Sequence, residues 1–475
     1  MRRVIALLFF VLTPAALGQT ADLALRAEHL ALDAMQKWNL PGLAVAIVKD
    51  DKVVLAKGYG VKSAGGGAVT ADTLFQLGSN SKAFTSAAMA ILVSEQKMGW
   101  DDPVRQHVVY FHLDDSCADS LVTLRDLVSH RTGLSRHDEL WDNSGLSREE
   151  VIRAIGHVEL TKPFRSAYQY NNIMFMTAGE AVAHASGMSW DDFVRTRIFV
   201  PIGMVHSTAT TAAWLAAKDR ATGHRFDPQA TTNAVRPFVD YDNLGPAGNI
   251  ASSAADMAQW LRFQLNDARL AETKRPQMII PADPDTNPGT SIQTYGMGWN
   301  ISDDAGTLLV AHGGALNGFR AQVALLPNEH EGIALMTNTG RGYGVIALRA
   351  ALIDLLLGRD SRDWNQHYDG VEKKHAEPRK HDWRPDTHPS RELAAYAGTY
   401  VHPGYGRATV TAEEGALVLR WLRHTMPLVH EQYDTFNAVS EPEEIDEDVQ
   451  FALGTDGEVK ILTMFGQTFV RSVAP

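Results

Sequence analysis

Residues 75–85, Phe75-Gln-Leu-Gly-Ser-Asn-Ser-Lys-Ala-Phe-Thr, place the hydroxyl of Ser79 and the amine of Lys82 three positions apart at the head of a helical pattern. Residues three apart share a helix face, so the amine reaches the hydroxyl. A helix N-terminus favours negative charge developing there, which suits a serine nucleophile carrying its own base. Two fixed positions recur by chance in long chains, and context gives these two their weight. Gly78 precedes the serine, and residues 83–96 are nearly all apolar or small, the pattern of a helix buried on most sides. A charged Lys82 at the head of such a helix calls for a chemical reason.

The chain has 475 residues, 45% of them hydrophobic and 21% charged, which is globular material for more than one domain. Its net charge of −12 argues against nucleic acid or an anionic membrane as the main partner, since both need a basic surface. Met1-Arg2-Arg3, a short apolar run and the small residues Ala16 and Gly18 read as a secretory signal peptide over 1–18, cleaved after Gly18. That run falls short of the roughly 20 residues of a membrane span, and no later run is long enough. The mature chain is therefore expected to be secreted or periplasmic, with no membrane span. Cys117 is the only cysteine, which rules out an intrachain disulfide and a cysteine zinc site. His-Glu-x-x-His, the phosphate-binding Gly-x-x-x-x-Gly-Lys and a complete Gly-x-Gly-x-x-Gly are all absent, and neither metal nor cofactor is expected. The absence of Gly-x-Ser-x-Gly argues against an ordinary α/β-hydrolase.

Residues 42–48 and 53–60 flank the polar turn Lys49-Asp-Asp-Lys and read as a β-hairpin. Helical patterns dominate from Ser79 to about Asn266. Strands return at 308–312, 319–326 and 332–338, followed by a helix over 345–357. The expected body, 19–357, is thus an α/β (α+β) domain: one antiparallel sheet flanked by helices, with a mostly helical subdomain between its two halves. Residues 358–390, rich in Asp, Arg, Lys, His and Pro, read as a solvated linker. Its histidines His367, His375, His381 and His388 show no repeated metal-ligand spacing. Residues 391–475 read as short strands at 407–411, 416–421, 449–453, 458–464 and 469–471, a small all-β barrel or sandwich.

Four features in order, Phe75-Gln-Leu-Gly-Ser-Asn-Ser-Lys, Thr123-Leu-Arg-Asp-Leu-Val-Ser-His-Arg-Thr-Gly-Leu, Tyr170-Asn-Asn-Ile-Met-Phe, and Tyr295-Gly-Met-Gly-Trp leading to His312-Gly-Gly, resemble the serine β-lactamase and penicillin-binding superfamily. The likeness is to its class C branch with the DD-peptidases, D-aminopeptidases and esterases (peptidase family S12). The tail opening Leu393-Ala-Ala-Tyr-Ala-Gly-Thr-Tyr resembles the lipocalin-like domain often fused to such hydrolases.

The resemblance implies that Ser79 is the nucleophile and that Lys82 and Tyr170 shuttle its proton. A lysine at its free pKa of about 10.4 is no base at neutral pH, and a phenol sharing its proton titrates with it as one unit. Asn172 would orient Lys82 and a substrate amide. His312, Gly313 and Gly314 would lie on the strand opposite, and the N–H of Ala315 would join that of Ser79 in an oxyanion hole. Class C β-lactamases carry Lys-Thr-Gly where this chain has His-Gly-Gly, which offers no fixed cation and no hydroxyl. The motif is closer to the His-x-Gly of peptidase members. His312 is a candidate electrophile or ligand for a substrate terminus, set against simple strand packing. His130 is expected to cap its helix, and Arg125 and Asp126 to hold the same turn.

The implied activity is acylation and deacylation on a small peptide, amide or ester, of D-aminopeptidase or DD-peptidase type. A carboxylesterase, a weak β-lactamase and a non-catalytic penicillin-binding-like protein stand as alternatives. Specificity would lie in loops 141–162 and 226–244, and the tail offers a surface for oligomerisation.

Overall fold

The computed structural model describes residues 14–360, 362–376, 384, 386–440 and 445–472, with side chains from Thr20 onward. Asp50 and Asp51 both take positive φ (50° and 60°), the backbone of a two-residue turn whose twist matches flanking strands. It closes the expected hairpin of Gly42–Lys49 and Lys52–Ser63 in the register Leu43 to Tyr59. Gly42–Lys49 is buried on both faces, which is why its sequence is continuously apolar instead of alternating. It pairs with Glu331–Thr337, which pairs with Phe319–Leu326 and then Thr307–Leu316. The hairpin edge gains the short strand Gly66–Ala68, and the far edge gains Asn300–Asp304, Gln293–Tyr295 and Met278–Ile280. The result is one nine-stranded antiparallel sheet. Its four added strands are three to five residues long, below what periodicity can detect.

Helices cover both faces. On one, Ala27, Ala31, Ala34 and Trp38 of Pro14–Trp38 pack with Val345, Leu348 and Leu352 of Gly342–Leu356 against Val45 and Ile47. The expected cleavage point after Gly18 falls near the start of the first of these helices, and residues 1–13 of the expected leader lie outside the described residues. On the other face, Met257 and Leu261 of Ala254–Asn266 join Ala44 and Ala46 in a core that runs on into the helical subdomain.

The linker expectation over 358–390 needs correction, because Trp364–His375 form a helix docked on the body. Trp364 Nε1 donates to Asp354 Oδ2 at 2.6 Å, Trp38 Nε1 donates to Asn365 at 2.8 Å, and Tyr368 is buried. Polar composition concealed an amphipathic helix whose few apolar residues share one face. His367 Nε2 donates to the Asp285 carbonyl at 2.9 Å, and His375 hydrogen-bonds Tyr343 at 2.5 Å. His381 lies outside the described residues, and among those described no cluster of metal-ligating side chains occurs.

Eight strands from Gly398–His402 to Gln467–Arg471 close into a barrel. Alternate residues point inward, as in Ala416–Trp421, and the interior is filled by Tyr400, Trp421, Met426, Phe436, Phe451 and Phe469. Closure removes every free sheet edge. Gly398–His402, His424–Gln432 and Thr435–Ser440 complete the five strands expected from sequence. No helix among the described residues is long and apolar enough to cross a membrane.

Candidate active site

Ser79 lies on a single tight turn, Gly78–Asn80, that leads into the buried helix Ser81–Ser94. The turn presses against the strand Thr307–Leu316. A Cβ on Gly78, whose φ is +54°, would sit 2.6 Å from the Ala315 nitrogen, and one on Gly314 would sit 1.8 Å from the Leu77 carbonyl oxygen. Two missing side chains therefore let the backbone around Ser79 touch the strand. Phe84 stacks on Trp260 with ring centroids 3.6 Å apart and fixes the helix from behind.

Lys82 is fully buried. Its Nζ lies 3.1 Å from Ser79 Oγ, 2.6 Å from Asn172 Oδ1 and 2.9 Å from the Ala247 carbonyl oxygen. Asn172 opens the helix Asn172–Ser186, which Asn171 caps by accepting from the Met174 N–H at 3.0 Å. The Asn172 amide cannot turn over, because its Nδ2 donates to Asp138 Oδ1 at 2.9 Å, leaving Oδ1 for the lysine. Asp138 also accepts from Trp141 Nε1 at 2.8 Å and Arg136 Nε at 2.7 Å. Tyr170 donates its hydroxyl to Ser79 Oγ at 2.6 Å. Lys82 Nζ lies 4.7 Å from the centre of the Tyr170 ring and the Arg136 guanidinium 4.9 Å from it.

Asn172 Oδ1 and the Ala247 carbonyl accept only, so two of the Nζ positions are taken by N–H donation to them and the third faces Ser79 Oγ. Burial holds Lys82 well below its ordinary pKa, with Arg136 pushing the same way and Asp138 opposing. Burial pushes Tyr170 up, while its bond to Ser79 and the Arg136 charge pull against that. Burial thus favours the neutral form of both groups.

Behind Tyr170 lies a layer of rings. His130 sits 4.3 Å from the Tyr170 ring and 4.6 Å from the Tyr295 ring, centroid to centroid, and is fully buried. Its Nδ1 accepts from the Asn171 N–H at 3.1 Å. His130 takes a left-handed backbone (φ 57°) just past the end of Leu124–Val128, the helix-end position expected of it, while its imidazole supports the Tyr170 segment and Gly298 N–H meets the helix carbonyl of Val128 at 3.2 Å. Arg125 and Asp126 do hold the turn, Asp126 through a capping box with Thr123 and ion pairs to Arg131 and Arg165. Arg125 pairs with Asp101 and Glu272.

His312 is 4% exposed. Its Nδ1 donates to the Gly313 carbonyl at 2.6 Å, which leaves Nε2 to accept from the Tyr295 hydroxyl at 3.1 Å. Burial pushes its pKa down to about 3. With both nitrogens engaged and the ring neutral, the geometry does not support a role as electrophile or substrate ligand and favours strand packing. Ala315 is exposed at the strand's edge of the cleft.

A cavity of about 1060 Å³ lies beside the site and shares Asp138 and Ala315 with it, without being lined by Ser79, Lys82, Tyr170 or Asn172. Loops 141–162 and 226–244 wall it through Trp141, Asn143, Phe238 and Tyr241, and the barrel through Trp421 and Phe465.

Residues 28–357 match the family model described as Beta-lactamase. The chain belongs to this beta-lactamase family. Residues 383–472 match a second model, a domain of unknown function (DUF3471). "Unguisins hydrolase ungD'" of Aspergillus campestris is 29% identical over 414 residues, 80% of this chain and 76% of that protein. "Protein flp" of Staphylococcus aureus is 25% identical over 318 residues, 65% of this chain and 62% of that one. The octameric penicillin-binding protein homologue from Pyrococcus abyssi superposes with a TM-score of 0.63 at 22% identity, covering 94% of this chain and 99% of that structure. At that identity it attests the fold.

For this beta-lactamase-family chain, sequence reasoning reached Ser79, Lys82, Tyr170 and Asn172, and the structure brings all four together. It places Gly313 and Gly314 on the adjoining strand, where a Cβ on Gly313 would first meet the end of the Gln322 side chain, at 2.8 Å. Asp138, Arg136 and the Ala247 carbonyl were missed. None lies in a motif, and a carbonyl acceptor leaves no mark on side-chain sequence.

Proposed function

We propose that this chain is a serine hydrolase that cleaves amide or ester bonds through a Ser79 acyl-enzyme, and that its substrates are small peptides of the D-aminopeptidase or DD-peptidase kind. The observation that carries this reading is the arrangement at Lys82, whose Nζ is held by the Asn172 and Ala247 oxygens within 3.1 Å of Ser79 Oγ, with Tyr170 donating to the same oxygen. Ser79 Oγ attacks the substrate carbonyl carbon while its proton moves to Lys82 Nζ. The backbone N–H groups of Ser79 and Ala315 receive the developing oxyanion, at about 3–4 kcal/mol per donor. The leaving nitrogen or oxygen takes a proton from the Lys82–Tyr170 pair as its bond to carbon breaks. Water then attacks the acyl-enzyme, gives a proton to the same pair, and Ser79 leaves reprotonated.

A peptide preference is supported by His-Gly-Gly at residues 312–314, where no cation or hydroxyl is offered to a β-lactam carboxylate. The name of the Aspergillus relative, a hydrolase of unguisins, agrees with hydrolysis. Export by the leader 1–18 completes the proposal, and the octameric Pyrococcus homologue makes assembly through the barrel part of it. The test is kcat/KM of purified residues 19–475 on D- and L-aminoacyl anilides, a short acyl ester and a chromogenic cephalosporin, with Ser79→Ala as blank. Preference for the D-anilide supports the peptidase reading, and turnover of the ester alone replaces it with an esterase. Activity in Ser79→Ala above a few percent refutes the nucleophile.

A further inference from the structure

The segment 135–139 has two faces with different clients. Arg136 lies over the Tyr170 ring and Asp138 holds the Asn172 amide that orients Lys82. The alternate residues, His137 and Glu139, turn the other way and meet the barrel. There the Tyr405 hydroxyl accepts from His137 Nδ1 at 2.6 Å and donates to the Glu139 carboxylate. His137 takes a left-handed backbone conformation, φ 49° and ψ 44°, which a residue with a Cβ holds only when its surroundings insist. Its Nε2 is engaged as well, with Ser135 Oγ at 2.9 Å.

Tyr405 is itself rigidly placed. Trp421 Nε1 donates to its carbonyl at 2.8 Å, the two rings stack 5.8 Å apart, and the Tyr405 N–H donates to His402 Nδ1 at 3.0 Å. The preceding Gly404 sits so close to the body that a Cβ would lie 2.5 Å from the Ala154 carbonyl oxygen. Although burial pushes Glu139 up, the neighbouring His137 and the bond from the Tyr405 hydroxyl hold the carboxyl below its usual range, so the acceptor is charged. Charge-assisted bonds of this kind are the strong ones.

We infer that Tyr405 of the barrel is a positioning residue for the lysine base, setting Lys82 through the chain His137/Glu139, Asp138 and Asn172. The inference rests on the hydrolase reading above and assigns the second domain a part in it. Without the hydroxyl, a buried His137 N–H and a Glu139 carboxylate lose their common partner. The strained turn relaxes, Asp138 moves, and the Asn172 amide is free to rotate away from Lys82.

The test compares Tyr405→Phe, which keeps the stacked ring, with wild type and with Asp138→Asn and the double variant. The readouts are kcat, KM, thermal unfolding and the rate at which an acylating phosphonate labels Ser79. The expected result is a loss of about tenfold in kcat, the scale of a small misplacement of a reacting group, with KM changed less than twofold. In the Asp138→Asn background Tyr405→Phe should cost little more, because both act along one chain. Glu139→Gln, which leaves Tyr405 and its packing intact, should give the same kcat-only pattern if Tyr405→Phe unfolds. An unchanged kcat, a change in KM alone, or a full tenfold loss added to Asp138→Asn overturns the inference. Absence of Ser79 labelling in wild type overturns the hydrolase reading and this inference with it, whereas normal labelling in both wild type and Tyr405→Phe overturns only the inference.

Discussion

Replacing Gly314 by alanine tests whether contact between the serine turn and the cleft strand sets the catalytic geometry. The new Cβ would stand 1.8 Å from the Leu77 oxygen and 2.8 Å from Asn80 Nδ2, whereas real Cβ contacts almost never fall below 3.0 Å. Both close partners belong to the turn that carries Ser79, and the nearer one is backbone, so no rotamer change relieves the clash. The turn and strand must separate by about 1.2 Å, the difference between 1.8 and 3.0 Å. A displacement near 1 Å costs on the order of 100-fold in rate, and overpacking a tight contact costs about 1–3 kcal/mol of stability. Gly313→Ala is the matched control: its Cβ meets the end of the Gln322 side chain at 2.8 Å, which can swing aside. With kcat/KM on the best substrate and the phosphonate labelling rate as assays, Gly314→Ala should lose about 100-fold and Gly313→Ala much less. Retention of half the wild-type rate by Gly314→Ala, or equal losses in the two variants, would refute the reasoning.

Tyr170→Phe removes the donor to Ser79 and should lower kcat by roughly 10²–10⁴-fold with little change in KM, the range of a general acid–base group; steady-state kinetics checks it. Because Lys82 must be neutral to act, kcat/KM should fall as pH drops through its depressed pKa and show no further rise near 10.4, which a pH–rate profile reads. The same depression carries a stability sign. The burial cost is absent above the unfolded value of about 10.4, grows as pH falls below it, and levels off at the folded value. Lys82→Met should therefore gain stability over wild type by more at pH 7 than at pH 10 in urea unfolding. Burial raises Asp126, yet Arg165, the Thr123 N–H and Arg131 hold its carboxyl below the usual range. Its stabilising contribution is complete above about pH 4 and is lost as pH falls through the folded value. Asp126→Ala should cost about 3 kcal/mol at pH 7 and less at pH 3, as unfolding at both pH values would show.

The central hairpin and sheet strands were legible because Gly42–Lys49, Phe319–Leu326 and Glu331–Thr337 are buried on nearly every residue and read as mostly apolar runs, broken in the second only by Arg320 and Gln322. Met278–Ile280 and Gln293–Tyr295 were not, since three residues cannot display a period of two. Trp364–His375 hid for a different reason. Its contact with the body is a few large groups, Trp364, Tyr368 and Val371, among charged residues that face water, so composition spoke for the exposed side.

At the site, legibility followed the length of the chain's own constraint. Ser79 and Lys82 are tied by one turn of backbone, and Tyr170 and Asn172 by a two-residue step into a helix, so each pair shows in the sequence. Asp138 is joined to Asn172 only through space, and its identity matters because a carboxylate can accept only. Were residue 138 an amide, nothing would decide which way Asn172 points, and the lysine would lose an acceptor that positions its Nζ. The carboxylate of Asp138 therefore does its work two hydrogen bonds removed from Lys82 and three from Ser79, by fixing a side chain's orientation. That kind of constraint is visible only once the loop is folded against the helix, and it is also where the barrel's Tyr405 gains its purchase on the site.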